Sequence, residues 1–236
     1  MVLTSLFDGR LEPLTYSIGF LSAPPERVAR AARWLYFRWP DAWRRVAVLD
    51  CGLEEALLQL QPLEGFLHPR VLVASTALNG WSAVFNGRIH GLGGRGVSVR
   101  LARALRVPGY FVAAAPPALD PEHFPGFRQF YVLGPQTGRD HVRAVWVGEE
   151  EDVGRWHFGT DGEVQPYEDV EAYRRRRHTD RFTERMLVDY AAAVGLRPWE
   201  DSFYRPPFHL ITSLRLGHDR FQRTLAQART EMKLDE

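Results

Sequence analysis

The 236-residue chain carries 30 Lys and Arg against 29 Asp and Glu, with 45% hydrophobic and 25% charged residues. That length can bury a sizeable core, the composition excludes wholesale disorder, and a formal net charge of +1 provides no bulk attraction for nucleic acid. Cys51 is the single cysteine, which excludes an internal disulfide and a thiolate zinc site, and every basic residue except Lys233 is arginine, as GC-rich codon usage produces.

The elements begin with an apolar strand over Tyr16 to Leu21. Pro24-Pro25-Glu26 then opens a helix, where a first-turn proline and an early acid are start signals. Val28, Ala31, Ala32, Leu35 and Trp39 fall on one stripe of that helix, and Pro40 stops it. Arg45 to Asp50 reads as a strand, LEEALLQL from Leu53 as a short helix, and Val71 to Ser75 as a strand after a loop bracketed by Pro62 and Pro69.

From Asn79 to Pro116 the pattern is strand, glycine-rich connection, helix, strand: Gly80 to Phe85, then Val97 to Arg106, then Tyr110 to Ala115. Alternation puts Trp81, Ala83 and Phe85 on one face of the first strand, predicted to lie in the core under the helix from Val97. After a proline-rich loop come strands over Arg128 to Leu133, Val142 to Val147 and Trp156 to Gly159, with the rhythm of an antiparallel meander. Glu149 to Asp152 and Asp161-Gly162 read as its hairpin connections.

The rest reads as helical: Asp169 to His178, then Thr183 to Val194 with Thr183 as N-cap and Gly195 as stop, then WEDSFYRPPFHLI as a connection. A polar terminal helix spans Asp219 to Lys233, with Phe221, Leu225, Ala228 and Met232 as its apolar stripe. The expected fold is α+β, a largely antiparallel β-sheet packed against several α-helices. It forms one domain over residues 1–236, with 219–236 a peripheral C-terminal helix.

Four features are candidates for function. Gly91, Gly93 and Gly96 satisfy G-x-G-x-x-G ahead of a helix, the spacing that brings backbone up to a pyrophosphate. A dinucleotide fold needs its strand to run directly into the first glycine, whereas Asn86 to His90 intervene here, so the bland reading is that these glycines turn the chain. The run Arg174 to Arg177 is either a solvated helix paired with Glu171 and Asp180 or a basic patch for an acidic partner. Trp34, Tyr36, Phe37, Trp39 and Trp43 lie within ten residues, which is either extended core or an exposed aromatic surface suited to protein binding. Cys51, at the start of a helix, is either a structural thiol or an activated one. No H-E-x-x-H, G-x-S-x-G or Walker motif occurs, and the sequence predicts neither a cofactor nor a metal.

Three segments, TYSIGFLSAPPERVARAARWL, GWSAVFNGRIHG and FTERMLVDYAAAVGLRPWEDSFY, resemble a group of uncharacterised actinobacterial proteins. The group's pattern is W-[ST]-A-x-F-x-N-G with a later F-T-x-x-x-L-x-x-Y helix. Trp81, Phe85, Gly87, Phe182, Thr183, Leu187 and Tyr190 carry the resemblance, although this chain has no residue between Phe85 and Asn86. In size and layout such proteins are similar to immunity proteins that neutralise polymorphic toxins, a likeness that brings no catalytic residues. The leading expectation is therefore a cytoplasmic, non-enzymatic protein-binding module of immunity or antitoxin type. It would block a toxin sterically, with Trp39, Trp43, Arg174, Arg175 and Arg177 as partner-binding candidates. The partner is another protein, with neither membrane nor nucleic acid involved. The alternative is a nucleotide-binding enzyme or sensor using the Gly91–Gly96 loop.

Overall fold

The structure, a computed structural model, describes residues 3–35, 43–65, 70–89, 94–116, 126–135, 139–149, 155–214 and 222–235. In chain order the elements are β1 (Ser17–Leu21), α1 (Pro25–Trp34), β2 (Trp43–Leu49), α2 (Leu53–Leu58), β3 (Leu63–Glu64), β4 (Val71–Thr76) and β5 (Ser82–Asn86). They continue with α3 (Gly94–Leu105), β6 (Gly109–Ala115), β7 (Phe127–Leu133), β8 (Arg143–Glu149) and β9 (Trp156–Gly162). The last are α4 (His178–Arg181), α5 (Glu184–Ala193), β10 (Tyr204–Leu214), β11 (Gln222–Arg223) and α6 (Leu225–Glu231).

Nine strands form one sheet in the order β2-β10-β4-β5-β1-β6-β7-β8-β9, and every pairing in it is antiparallel. The fold is α+β. β7 to β9 form the expected meander, which β6 extends, while β3 and β11 pair separately. β5 and β6 both lie antiparallel to β1 and on opposite sides of it, so they run parallel to each other. The unit β5-α3-β6 is therefore a split β-α-β crossover that steps over β1.

Alternation along the central strands sends side chains into two cores. Ile18, Phe20, Leu72, Ala83, Phe85 and Phe130 pack on one face with Leu57 of α2 and Leu187 and Tyr190 of α5. Leu21, Val71, Val73, Val84, Phe111 and Tyr131 pack on the other with Val28 and Ala32 of α1 and Val97 and Leu101 of α3. Burial on both faces explains why β1 and β5 are fully buried along their length.

This arrangement corrects the expectation for Trp81. Ala83 and Phe85 face the α2 and α5 side, and α3 covers the opposite face at Val84. Trp81 precedes β5 and is half-buried, stacked on Tyr110 with ring centroids 5.4 Å apart. Three further expectations also change. Asp161 and Gly162 belong to β9, paired with Ala144 and Arg143, and do not form a turn. WEDSFYRPPFHLI enters an eleven-residue strand, β10, between β2 and β4. Pro206 and Pro207 offer no N–H to a ladder, and the register against β4 shifts between Arg205 and His209. Asp169 to His178 is not one helix but a single 3-10 turn, Ala172–Arg174, followed by extended backbone at Arg175 and then α4.

The helix ends follow their chemistry. The Thr183 hydroxyl accepts from Met186 N–H, Gly195 takes a positive φ of 80° after α5, and Thr224 with Gln227 makes a capping box on α6. Asp219 and Phe221 lie outside the described residues; within α6, Leu225 and Ala228 are buried, as is Met232 just beyond it. Arg229 ties this helix to the N-terminal coil by donating to Gly9 O at 2.7 Å. No helix among the described residues is long and apolar enough to cross a membrane.

Candidate anion-binding cleft

Two glycines bring the crossover helix α3 into close contact with the sheet. A Cβ on Gly19 of β1 would overlap the Ser98 hydroxyl, and one on Gly94 would fall 2.6 Å from Ser17 Oγ and 2.7 Å from Asn86 Nδ2. Gly96, the third residue of α3, has nothing within 4 Å of a Cβ position and is exposed. Gly94, outside the G-x-G-x-x-G spacing, is thus the one the packing demands, while Gly96 leaves backbone open to whatever lies beside it.

What lies beside it is a cleft of about 690 Å³ between α3 and the sheet, within the usual range for small-ligand sites. Ser17, Phe111, Ala113 and Gln129 form the sheet side. On α3, Arg95, Val99 and Arg103 recur at i, i+4 and i+8, with Gly96 and Arg100 on the adjoining row, so one helix face lines the cleft. Arg88 enters from the segment after β5, and Asp140 is the one acid at the rim among the described residues. Four arginines therefore line the space, with a single carboxylate among the described residues.

Each guanidinium with a mapped partner is held in place. Arg95 donates to the Tyr131 hydroxyl at 2.9 Å and stands over its ring, 5.0 Å from the centroid. Arg103 pairs with Asp140 at 2.9 Å and donates to Arg139 O at 2.7 Å. Arg88 donates through Nη1 to Gly65 O at 3.0 Å, and its backbone is clamped by a bridge to Glu64. The Nε–H of Arg88 is buried with no hydrogen-bond partner among the described residues. The same is true of Oδ1 of Asn86, whose residue is only 2% exposed and whose amide reaches Ser17 Oγ at 3.5 Å. Unmet buried polar groups cost free energy unless something fills them, and here two adjoin the mouth of a helix whose first amides have no intrahelical partner.

The residues singled out from sequence are placed unevenly. Gly91, Gly93 and Trp39 lie outside the described residues; Trp43 begins the edge strand β2. Gly96 is inside α3, not in a loop before it. An all-antiparallel sheet removes the dinucleotide-fold reading of the glycine spacing. Arg174, Arg175, Arg176 and Arg177 are all exposed. Arg174 pairs with Glu171 at 3.1 Å and Arg175 donates to Asp180 O at 3.1 Å. These arginines run from a 3-10 turn through extended backbone and do not lie on the one solvated helix expected. Cys51 is half-buried, and burial followed by the charges of Glu55 and Asp50 pushes its thiol pKa up, which is the reverse of activation.

Sequence reasoning missed Arg88, Arg95, Arg100 and Arg103. The available signal was arginine at i, i+5 and i+8 on the helix after the glycines; the partners from residues 17, 113 and 129 could not be placed without the strand order. No family model matches this chain, and no curated protein or solved structure is found similar to it.

Proposed function

We propose that the protein binds a phosphate-bearing ligand in the cleft between α3 and the sheet. The carrying observation is that Arg88, Arg95, Arg100 and Arg103 line one open cleft that also holds exposed backbone at Gly96. Guanidinium forks match phosphate oxygens in a bidentate way. The N-terminus of a twelve-residue helix adds positive potential at the same end. The site lies beyond the carboxyl end of β5 in a crossover unit, where α/β folds also tend to place ligands. The reading assigns binding; it assigns no bond-breaking step to any residue.

The test is thermal denaturation at low salt with pyrophosphate, tripolyphosphate and sulfate. A ligand at 100 times its Kd stabilises by about 2.7 kcal/mol, which is roughly 5–10 °C for a chain of this size. Arg100→Glu and Arg95→Ala should each abolish the shift, and Arg174→Ala should not. Absence of any shift at millimolar polyphosphate removes the proposal.

A second reading, protein binding of the immunity type, is favoured by a separate observation: four consecutive exposed arginines from the end of a 3-10 turn to the start of α4, flanked by Tyr173 and His178, which contact Phe158 and His157 of the edge strand β9. Complementary charge there would raise association rate and orient an acidic partner. Recovery of a partner from the native host that is lost in an Arg174→Glu, Arg175→Glu, Arg177→Glu variant supports it. Recovery of none at low salt counts against it.

A further inference from the structure

One cross-strand row connects the cleft to a feature that phosphate binding does not use. Register places Ser17 opposite Ala113, Ala113 opposite Gln129, Gln129 opposite Trp146, and Trp146 opposite Gly159. The first three line the cleft. The next residue in the row, one strand spacing of about 4.8 Å further on, is a tryptophan on the same face as Ala113. A Cβ on Gly159 would collide with the Cζ2, Cε2 and Cη2 atoms of that ring. The indole therefore lies flat on β9, in a space that only glycine leaves open. Trp146 is half-buried, and no ring or guanidinium among the described residues stacks on its other face.

We infer that Trp146 is a stacking platform for the base of a nucleotide whose phosphates occupy the arginine cleft. This rests on the phosphate-binding reading and narrows it to one ligand class. The two subsites have the chemistry a nucleotide needs in the order it needs them, a cationic pocket and then a flat aromatic face, with the Gln129 carboxamide between them to meet a ribose. An inorganic polyphosphate would use only the first subsite. A bare aromatic compound would use only the second. Every base has a π-face, so the platform selects nucleotides over phosphate without choosing among bases.

The experiment compares ATP, GTP and UTP with tripolyphosphate by titration calorimetry and by tryptophan fluorescence. The parent protein is measured beside Trp146→Ala, Trp146→Phe and Gly159→Ala. In the parent, all three nucleotides should bind on the order of 10-fold more tightly than tripolyphosphate and quench emission. Trp146→Ala should lower nucleotide affinity to that of tripolyphosphate and leave tripolyphosphate affinity unchanged. Trp146→Phe should keep most of the preference while losing the quench. Gly159→Ala, which lifts the ring from the strand, should weaken nucleotides alone. Nucleotide and tripolyphosphate affinities that are equal in the parent, or unchanged by Trp146→Ala, overturn the platform while leaving the phosphate site standing. Failure of both ligand types to bind overturns the two together. Binding of a single-stranded oligonucleotide with no binding of mononucleotides overturns the ligand class.

Discussion

Removing the carboxylate of Glu168 should unfold more of this protein than any surface change of the same size. Glu168 and Arg143 form an ion pair whose side chains are 1% and 4% exposed. The guanidinium donates through Nε at 2.8 Å and Nη2 at 2.6 Å, and through Nη1 to Gly162 O at 2.9 Å. The carboxylate also accepts from Gln165 N–H and from the Tyr173 hydroxyl, each at 2.8 Å. Tyr173 in turn meets the Tyr190 hydroxyl at 2.9 Å, which accepts from Asp169 N–H at 2.8 Å. Glu168→Ala leaves a guanidinium and two further donors buried without an acceptor, a loss of about 3–5 kcal/mol. Against a whole-domain margin of roughly 5–15 kcal/mol, that lowers Tm by roughly 6–20 °C. Glu171→Ala is the control, because its pair with Arg174 is 73% and 79% exposed and contributes about 0–1 kcal/mol. Thermal melts followed by circular dichroism measure both. Replacing the pair together, Arg143→Met with Glu168→Leu, should recover most of the loss. A Glu168→Ala protein that melts within a degree or two of the parent would show that this network does not hold residues 165–182 to the sheet.

The remaining predictions concern packing and titration. Trp81→Ala should stay soluble and lose about 1–3 kcal/mol in urea unfolding, below the 3–5 typical of a fully buried tryptophan, because its ring is half-buried against Tyr110; insoluble protein would mean that the ring is needed for folding itself. Gly19→Ala should cost about 1–3 kcal/mol by lifting α3, and Ser98→Gly should restore part of it, since the new methyl meets the Ser98 side chain; no recovery would place the strain elsewhere. Burial pushes up the phenol pKa values of Tyr16, Tyr110, Tyr167, Tyr173, Tyr190 and Tyr204, six of the eight tyrosines. Each keeps its proton in the folded state where an unfolded phenol, with pKa about 10, has lost it. Stability should therefore hold below that pH and fall as pH rises above it, with only a minority of phenols ionising in an absorbance titration before the chain unfolds. Cys51 should react with iodoacetamide more slowly than free cysteine at pH 7.5 and catch up only at higher pH.

Local pattern carried the outline of the fold, and its failures have identifiable causes. Val71 to Ser75 and Tyr110 to Ala115 were legible because short apolar runs between breakers have few other uses. β10 was hidden by Pro206 and Pro207, which normally argue against an inner strand; here the ladder to β4 tolerates them by shifting register. The stretch from Asp169 looked helical because its charges fall at helical spacing, but Glu168 and Asp169 spend their hydrogen bonds on Arg143, Tyr173 and Tyr190 instead. The face of Trp81 was inverted because alternation defines two faces without saying which one a helix covers. The cleft was illegible for a similar reason: its sheet side joins residues 17, 113 and 129, neighbours only through strand order.

That strand order also explains why there is a cleft at all. Nine strands at about 4.8 Å spacing make a sheet roughly 38 Å across, while two packed helices 8–10 Å apart cover only about half that width. On this face α1 packs against β2, β10, β4 and β5, and α3 against β5, β1 and β6. Neither reaches far beyond β6, so among the described residues the strip over β7, β8 and β9 on this face is filled by its own side chains. Tyr131 does this under Arg95 and against His141, with ring centroids 5.4 Å apart in the second contact. Trp146 does it by lying down on Gly159. The boundary of helix cover is therefore a row of arginines on α3 beside a strip of flat aromatic side chains, produced by a sheet wider than its helices. Shortening the arginines without touching the sheet should therefore widen the cleft but leave the fold intact. Arg95→Ala should then cost about 1 kcal/mol, the value of one hydrogen bond and one exposed cation–π contact. A much larger loss of stability in urea unfolding would mean that Arg95 is part of the core's closure and that the cleft is a packing seam.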